Sequence, residues 1–443
     1  MDLASVFKAY DVRGVYPEQI DEVVAHRIGG AFAEFTGAQT VVVGRDMRVS
    51  SEPLSRAFIE GVLGRGVNVV DIGLVSTDTL YFASGRHSMP GAMFTASHNP
   101  GQYNGIKMCL KGAAPIGEET GLKDILRLAE AGFGESPGVG AVAERDVMDD
   151  FVEHVLKFVD SSRFRPLKVV VDAANGMGGK LVPPVFEHLP VELVDLYFDL
   201  DGTFPNHPAD PIQIENLADL RKAVLQHEAD LGMAFDGDAD RVFLVDNKAE
   251  PVSGSLTTAL VASRVLRRSA GAQVVHNLIC SRVVPETVRE GGGVPVRTRV
   301  GHSFIKQVMA ETGAIFGGEH SGHYYFRDNF RADSGIIAAL LVLEELSEQA
   351  APMSEVLAPF KRYWNSGERN TAVKDLSAKM EQIAKVHSSG VIDLTDGLTV
   401  DYPDWWFNVR PSNTEPLLRL NVEDRDPSHG HEMTEGLLTL IRS

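Results

Sequence analysis

The chain has 443 residues, 44% hydrophobic and 23% charged, a globular composition that excludes a mostly disordered protein. Its formal net charge of -19 argues against nucleic acid and anionic membrane as partners, since both demand a basic surface. Two cysteines, Cys109 and Cys280, are too few for a disulfide framework or a thiolate zinc site and fit a reducing compartment.

At about 150 residues per domain the length allows roughly three units, with two or four also open. In chain order, residues 40–43 form a β-branched strand, 54–63 an amphipathic helix, 67–72 a strand and 92–95 a strand. After the glycines Gly132, Gly134, Gly138 and Gly140 the pattern restarts, with a strand at 168–171, a turn at Asn175-Gly176 and a strand at 193–197. A helix at 217–225 and a strand at 231–235 complete this round. A third round is expected from Val242, with strands at 273–275 and 294–297 and helices at 304–309 and 336–346. Strands alternating with helices imply parallel βαβ units. Beyond Pro352 the pattern changes to a meander of strands at 391–394, 398–400, 405–409 and 417–422, closed by a helix at 433–441. The expected fold is therefore α/β: three consecutive α/β domains with mixed sheets (1–147, 148–248 and 249–358) and a C-terminal α+β domain (359–443) around a central cleft. The longest apolar stretch, 336–343, ends at Glu344, far short of the ~20 residues that span a bilayer. The first ten residues lack a secretory pattern. A cytoplasmic protein, monomer or homodimer, is expected.

Four segments carry chemistry. Thr95-Ala96-Ser97-His98-Asn99-Pro100, followed by Asn104-Gly105-Ile106-Lys107, comes after a buried strand, where α/β sheets place ligand sites. Pro100 and Gly101 mark a turn that puts Ser97 on a loop, either as an activated nucleophile or as a backbone-capping side chain. Asp236-Gly237-Asp238-Ala239-Asp240-Arg241 follows an apolar strand, so alternate carboxylates can converge on a hard cation. Converged at ~4 Å and an effective dielectric of ~20, each carboxylate pair repels by about 4 kcal/mol, and three pairs rival a domain's stability. Either they splay into water or a cation is present. A calcium EF-hand is excluded, because its glycine and glutamate places hold Arg241 and Asn247. Gly317-Gly318-Glu319-His320-Ser321-Gly322-His323 offers short polar groups for hydroxyl recognition, and its glycines argue against a helical zinc pair of His320 and His323. Arg410-Pro411-Ser412-Asn413-Thr414-Glu415-Pro416 combines a guanidinium, hydroxyls, an amide and turn N–H groups, which suits a phosphate cradle or an ordinary turn.

In this order, and with Phe7-Lys8-Ala9-Tyr10-Asp11-Val12-Arg13-Gly14 at the start, the segments resemble the α-D-phosphohexomutase family over nearly the whole chain. The resemblance implies one motif per domain. It implies that Ser97 carries a phosphoryl group and that Ser97, Asp236, Asp238 and Asp240 hold Mg2+. It implies that Glu319 and Ser321 bind sugar hydroxyls, and that Arg410, Ser412, Asn413 and Thr414 hold the phosphate not being transferred. His98, Lys107, Arg241, His302 and His323 match residues near the reacting groups, and Tyr10 and Arg13 match cleft residues. The implied activity is interconversion of hexose 1-phosphates and 6-phosphates, with a hexose 1,6-bisphosphate as intermediate and activator. The Gly-Glu-x-Ser-Gly-His loop looks like the phosphomannomutase/phosphoglucomutase branch, and phosphoglucosamine mutases share a close variant. Ile279 stands where some relatives place a lysine near the sugar. A metal-dependent phosphatase and a non-catalytic sugar-phosphate-binding protein are the competing readings.

Overall fold

The computed structural model describes residues 3–133, 138–411 and 417–443. Its described strands form four sheets. The first holds β1 (Val12–Val15), β2 (Thr40–Arg45), β3 (Asn68–Leu74), β4 (Gly91–Phe94), β5 (Tyr103–Leu110), β6 (Ala114–Pro115) and β7 (Val142–Glu144), in the order β1-β5-β4-β2-β3-β7 with β6 beside β5. The second holds β8 (Leu167–Asp172), β9 (Val191–Leu196), β10 (Leu231–Phe235), β11 (Val242–Asp246) and β12 (Pro251–Val252), in the order β12-β11-β10-β8-β9. The third holds β13 (Gln273–Asn277), β14 (Val294–Thr298), β15 (Phe316–Gly318) and β16 (Tyr324–Phe326), in the order β14-β13-β15-β16. The fourth holds β17 (Trp364–Asn365), β18 (Arg369–Ala372), β19 (Val391–Asp393), β20 (Leu398–Asp401), β21 (Trp405–Pro411) and β22 (Leu417–Asp424), a meander from β19 to β22 with β17 and β18 against β22.

The parallel core strands are apolar runs buried on both faces, as sheets covered on two sides require. Val41, Val42 and Val43 of β2 are fully buried, for example. The helices covering them are defined by their caps. Asp21 accepts the Val24 N–H and starts the helix Glu22–Thr36, and Gly37, at φ 56°, ends it.

The first three sheets are mixed, as expected, because each contains an antiparallel hairpin. β4 pairs antiparallel with β5, β10 with β11, and β15 with β16. Residues 242–246 therefore close the second sheet rather than begin the third round. The signal was hidden because β11 is buried along its whole length and shows no alternation. The hairpin turns carry the serine, aspartate and glutamate motifs, so one construction supplies three loops.

The first unit has its own core around Phe32, Phe58 and Phe94, and the C-terminal unit one around Phe407 and Leu420. The second and third share a core that runs from Val169 and Leu231 to Leu340 and Tyr324. Among the described residues no helix is long and apolar enough to cross a membrane.

Candidate active site

Ser97 sits in the β4–β5 turn, 4% exposed, with φ at 49°, the left-handed region that non-glycine residues seldom occupy. Its N–H donates to Thr95 Oγ1 at 2.9 Å. Its Oγ donates to Asp236 Oδ2 at 2.7 Å and accepts from Arg241 Nη2 at 3.3 Å. His98 Nδ1 lies 3.3 Å from the same Oγ, so these two sequence neighbours do meet.

The aspartate loop packs directly on this turn. A Cβ at Gly237 would lie 2.3 Å from the Ser97 carbonyl oxygen, so only glycine permits the approach. Asp238 Oδ2 accepts from Lys107 Nζ at 2.7 Å and from Thr77 Oγ1 at 2.5 Å, and Asp240 Oδ2 accepts from Lys107 Nζ at 2.6 Å. Arg241 Nε donates to Asp236 Oδ2 at 2.9 Å. Ligand atoms of Asp236, Asp238 and Asp240 all lie within 4.8 Å of one another. The Oδ1 atoms of Asp238 and Asp240 are buried and accept no hydrogen bond from the described residues. Lys107 and Arg241 leave one of the three carboxylate charges unmatched. Orphaned buried oxygens, a residual negative charge and an all-oxygen donor set fit a hard divalent cation.

The charges are strongly coupled. Burial pushes the Asp236 carboxyl up to about 7, against the pull of Arg241, and repulsion from Asp238 and Asp240 adds to it. Burial also opposes ionisation of Asp238, but Lys107 and the Thr77 hydroxyl outweigh it and hold that carboxyl low. Lys107 pays for its own burial through Asp238 and Asp240, which keep it protonated well above its ordinary range.

The β15–β16 turn brings Glu319 and His323 to the same place. Glu319 is 2% exposed; its Oε1 accepts from the Tyr325 hydroxyl at 2.5 Å and its Oε2 from Asn277 Nδ2 at 3.0 Å and the Gly301 N–H at 3.4 Å. Ser321 is half-buried in the turn. His323 Nδ1 lies 2.9 Å from Asp333 Oδ2 and 3.8 Å from Asp240 Oδ1. Burial works against the His323 imidazolium, yet Asp240 and Asp333 raise its pKa above 6.5. Asp333 Oδ1 is 2.8 Å from Lys306 Nζ, which also lies 3.9 Å from the Tyr81 ring of the first unit. Tyr10 closes the gap between first and third units, with its ring 5.2 Å from that of His302 and its hydroxyl 3.4 Å from the Val300 carbonyl. Arg13 donates to Asn99 Oδ1 at 2.6 Å and pairs with Asp11.

Arg410 lies opposite Arg419 on β21 and β22, and Glu368 bridges them, at 3.0 Å from Arg410 Nη2 and 3.3 Å from Arg419 Nη1. Ser412, Asn413 and Thr414 lie outside the described residues. Ile279 is buried with Leu278 against Trp406 of the C-terminal unit.

Ser97, His98, Lys107, the three aspartates, Arg241 and His323 thus form one cluster drawn from three units. Tyr10, His302 and Glu319 border it. Arg410 is placed in the fourth unit, near enough for its charge to act on the Tyr10 hydroxyl. Four participants went unrecognised in the sequence: Arg48, Thr77, Lys306 and Asp333. Only Arg48 had a local sign, the charged run Arg45-Asp46-Met47-Arg48 directly after an apolar strand.

The third unit also holds three imidazoles neutral. Burial pushes His276 down to about 4, and His302 and His320 down to about 3. A histidine whose folded pKa is depressed adds stability that is complete above 6.5 and is lost as pH falls toward the folded value. For His276, 5% exposed, the full shift is worth about 3 kcal/mol. Between pH 7 and about pH 5, His276→Gln is therefore expected to lose less unfolding temperature than wild type, since it no longer holds a buried neutral imidazole. The same pH dependence in both proteins would exclude the effect.

Four family models cover nearly the whole chain. Those described as phosphoglucomutase/phosphomannomutase alpha/beta/alpha domains I, II and III match residues 4–133, 149–250 and 253–363. The phosphoglucomutase/phosphomannomutase C-terminal domain matches residues 368–439. A phosphomannomutase of Salmonella montevideo is 38% identical over 458 residues, covering 100% of both chains. A phosphomannomutase of Escherichia coli strain K12 is 40% identical over 459 residues, again covering 100% of both. A phosphoglucomutase/phosphomannomutase family protein of Burkholderia thailandensis superposes with a TM-score of 0.90 at 36% identity, covering 99% of this chain and 97% of that one.

Proposed function

The chain belongs to the phosphoglucomutase/phosphomannomutase family, and on that premise we propose that it interconverts mannose and glucose 1-phosphates with their 6-phosphates through a phosphorylated Ser97. It is an isomerase of the phosphohexomutase kind. The observation that carries the serine assignment is the 2.7 Å contact of Ser97 Oγ with Asp236, beside Arg241 and the buried triad.

In this reading the phosphoserine donates to the free hydroxyl of the bound sugar phosphate. The sugar oxygen bonds to phosphorus as the bond to Ser97 Oγ breaks, and the hydroxyl proton passes to an imidazole of the cleft, where His98, His302 and His323 stand. Lys107 stays protonated and supplies charge, and Arg241 faces the oxygen that leaves. Mg2+ held by Asp236, Asp238 and Asp240 would supply the remaining charge stabilisation for the transferred group. The 1,6-bisphosphate then turns over, and its other phosphate returns to Ser97. Free hexose 1,6-bisphosphate would rephosphorylate a dephosphorylated enzyme, hence its role as activator. Arg410, with Ser412, Asn413 and Thr414, is proposed to hold whichever phosphate is not reacting.

Sugar choice follows from Glu319. A carboxylate has about four lone-pair sites, and Tyr325, Asn277 and Gly301 supply three donors. That leaves Glu319 about one hydroxyl to read, with Ser321 for its neighbour. O3 and O4 suit the pair, because they exchange places when the bisphosphate flips, whereas O2 changes place entirely. Glucose and mannose differ only at C2. The test is the ratio of catalytic efficiencies for mannose, glucose and glucosamine 1-phosphates with Mg2+ and bisphosphate supplied. The first two should agree within about a thousandfold, which is about 4 kcal/mol, with glucosamine phosphate poorer. A larger preference between mannose and glucose would mean that O2 is read directly.

A further inference from the structure

Arg48 borders the cluster just described through the Ser97 carbonyl, but the proposed chemistry gives it no part. Its side chain is fully buried at 0% exposure. Nη1 donates to the carbonyls of Pro100 at 2.8 Å and Tyr103 at 3.0 Å. Nη2 donates to the carbonyls of Ser97 at 2.8 Å and Asn99 at 2.7 Å. One guanidinium therefore ties down the serine turn at four points, including the carbonyl of Ser97 itself. Its Nε faces Asp46 Oδ2 at 3.3 Å. Asp46 is in turn fixed, because its Oδ1 accepts from the Ser51 hydroxyl at 2.6 Å and the Arg48 N–H at 3.0 Å.

The cover over this arginine comes from the second unit. The Phe204 ring centroid lies 5.1 Å from the guanidinium carbon, within cation–π range. A Cβ at Gly202 would lie 2.5 Å from Arg48 Cα, so the loop carrying both residues presses against the backbone there. Without water to compete, each carbonyl contact of the charged donor gains strength.

We propose that Arg48 is a positioning residue that holds Ser97 in its left-handed conformation, with Oγ aimed at Asp236 and Arg241, and that Phe204 seals the guanidinium from water. Arg48 touches carbonyl oxygens and not the reacting atoms, so its removal should slow phosphoryl transfer and leave sugar binding alone. A lysine keeps the charge but cannot form the planar fork that reaches four carbonyls. This rests on Ser97 being the phosphorylated residue.

The experiment compares wild type, Arg48→Lys, the charge-neutral pair Asp46→Asn with Arg48→Met, and Phe204→Leu. Steady-state kinetics use mannose 1-phosphate, with thermal unfolding and peptide mass spectrometry after incubation with glucose 1,6-bisphosphate. A displacement of about 1 Å at a reacting group costs about a hundredfold in rate. Arg48→Lys and the double variant should lose about that in kcat with KM within about threefold. Phe204→Leu, which leaves every hydrogen bond in place, should lose less in the same pattern. Unchanged kcat in folded Arg48→Lys, or a loss carried mainly by KM, would overturn the proposal. So would a kcat loss explained by the unfolded fraction alone in all three variants. Wild-type protein phosphorylated elsewhere than Ser97 would instead defeat the underlying reading.

Discussion

Ser97→Ala is expected to fold normally and to lose turnover by about 10^4-fold to 10^6-fold, the scale on which a covalent nucleophile is missed. The fold should tolerate the change because the serine turn is held by its backbone. Arg48 and the Thr95 hydroxyl take their contacts from main-chain atoms that alanine retains. Asp236 loses one donor but keeps three from Arg241, its backbone N–H, Nε and Nη2. No neighbouring hydroxyl should substitute. Thr77 also touches the triad, through Asp238 at 2.5 Å, but it is 0% exposed within the helix Thr77–His87. A turnover within about tenfold of wild type would place the reacting oxygen elsewhere.

Asp238→Asn is expected to cost about a thousandfold in turnover, equivalent to about 4 kcal/mol, because a cation's charge stabilisation of the transferring group is worth several kcal/mol. The reason is specific to this carboxylate. Its Oδ2 is already committed to Lys107 and Thr77, so the orphaned Oδ1 is the atom left to meet a cation. An amide there offers one oxygen and no charge. Stability should change little, since removing one of three converging carboxylates relieves repulsion while loosening Lys107. Ligand linkage gives an independent readout. Mg2+ at a hundred times its dissociation constant should stabilise the wild type by about 2.7 kcal/mol, and Asp238→Asn by far less. Chelator should abolish wild-type turnover reversibly. Equal stabilisation of both proteins by Mg2+, or full activity in thorough chelator, would remove the triad from the mechanism.

The residues legible from sequence were those whose chemistry is packed into a few consecutive positions. Ser97 in its turn, the alternate aspartates after β10 and the Glu319 loop after β15 each stood out as candidates, and their order along the chain carried the resemblance. Their mutual placement could not be read, because it depends on hairpins whose return strands carry no distinctive pattern. β11 and β16 are buried on both faces, so the alternation that marks a half-exposed strand is missing, and β16 spans only Tyr324–Phe326. Arg48, Thr77, Lys306 and Asp333 were missed for a related reason. Each reaches the site from an element that reads as ordinary helix or loop, and each matters only through a partner distant in sequence. Thr77 and Asp238 are 161 residues apart, and Arg48 and Ser97 are 49 apart. The C-terminal meander was legible because β21 and β22 are long, apolar-rich strands of 7 and 8 residues, whereas the 2-residue β17 and the polar 4-residue β18 that complete that sheet were not.

The most direct test of the phosphoserine assignment is peptide mass spectrometry of wild-type protein after incubation with glucose 1,6-bisphosphate and Mg2+, followed by a chase with excess mannose 1-phosphate. The expected result is one phosphoryl group on Ser97 that is lost to the sugar during the chase. An active preparation in which Ser97 stays unmodified, or carries a phosphoryl group that the chase does not remove, would contradict it.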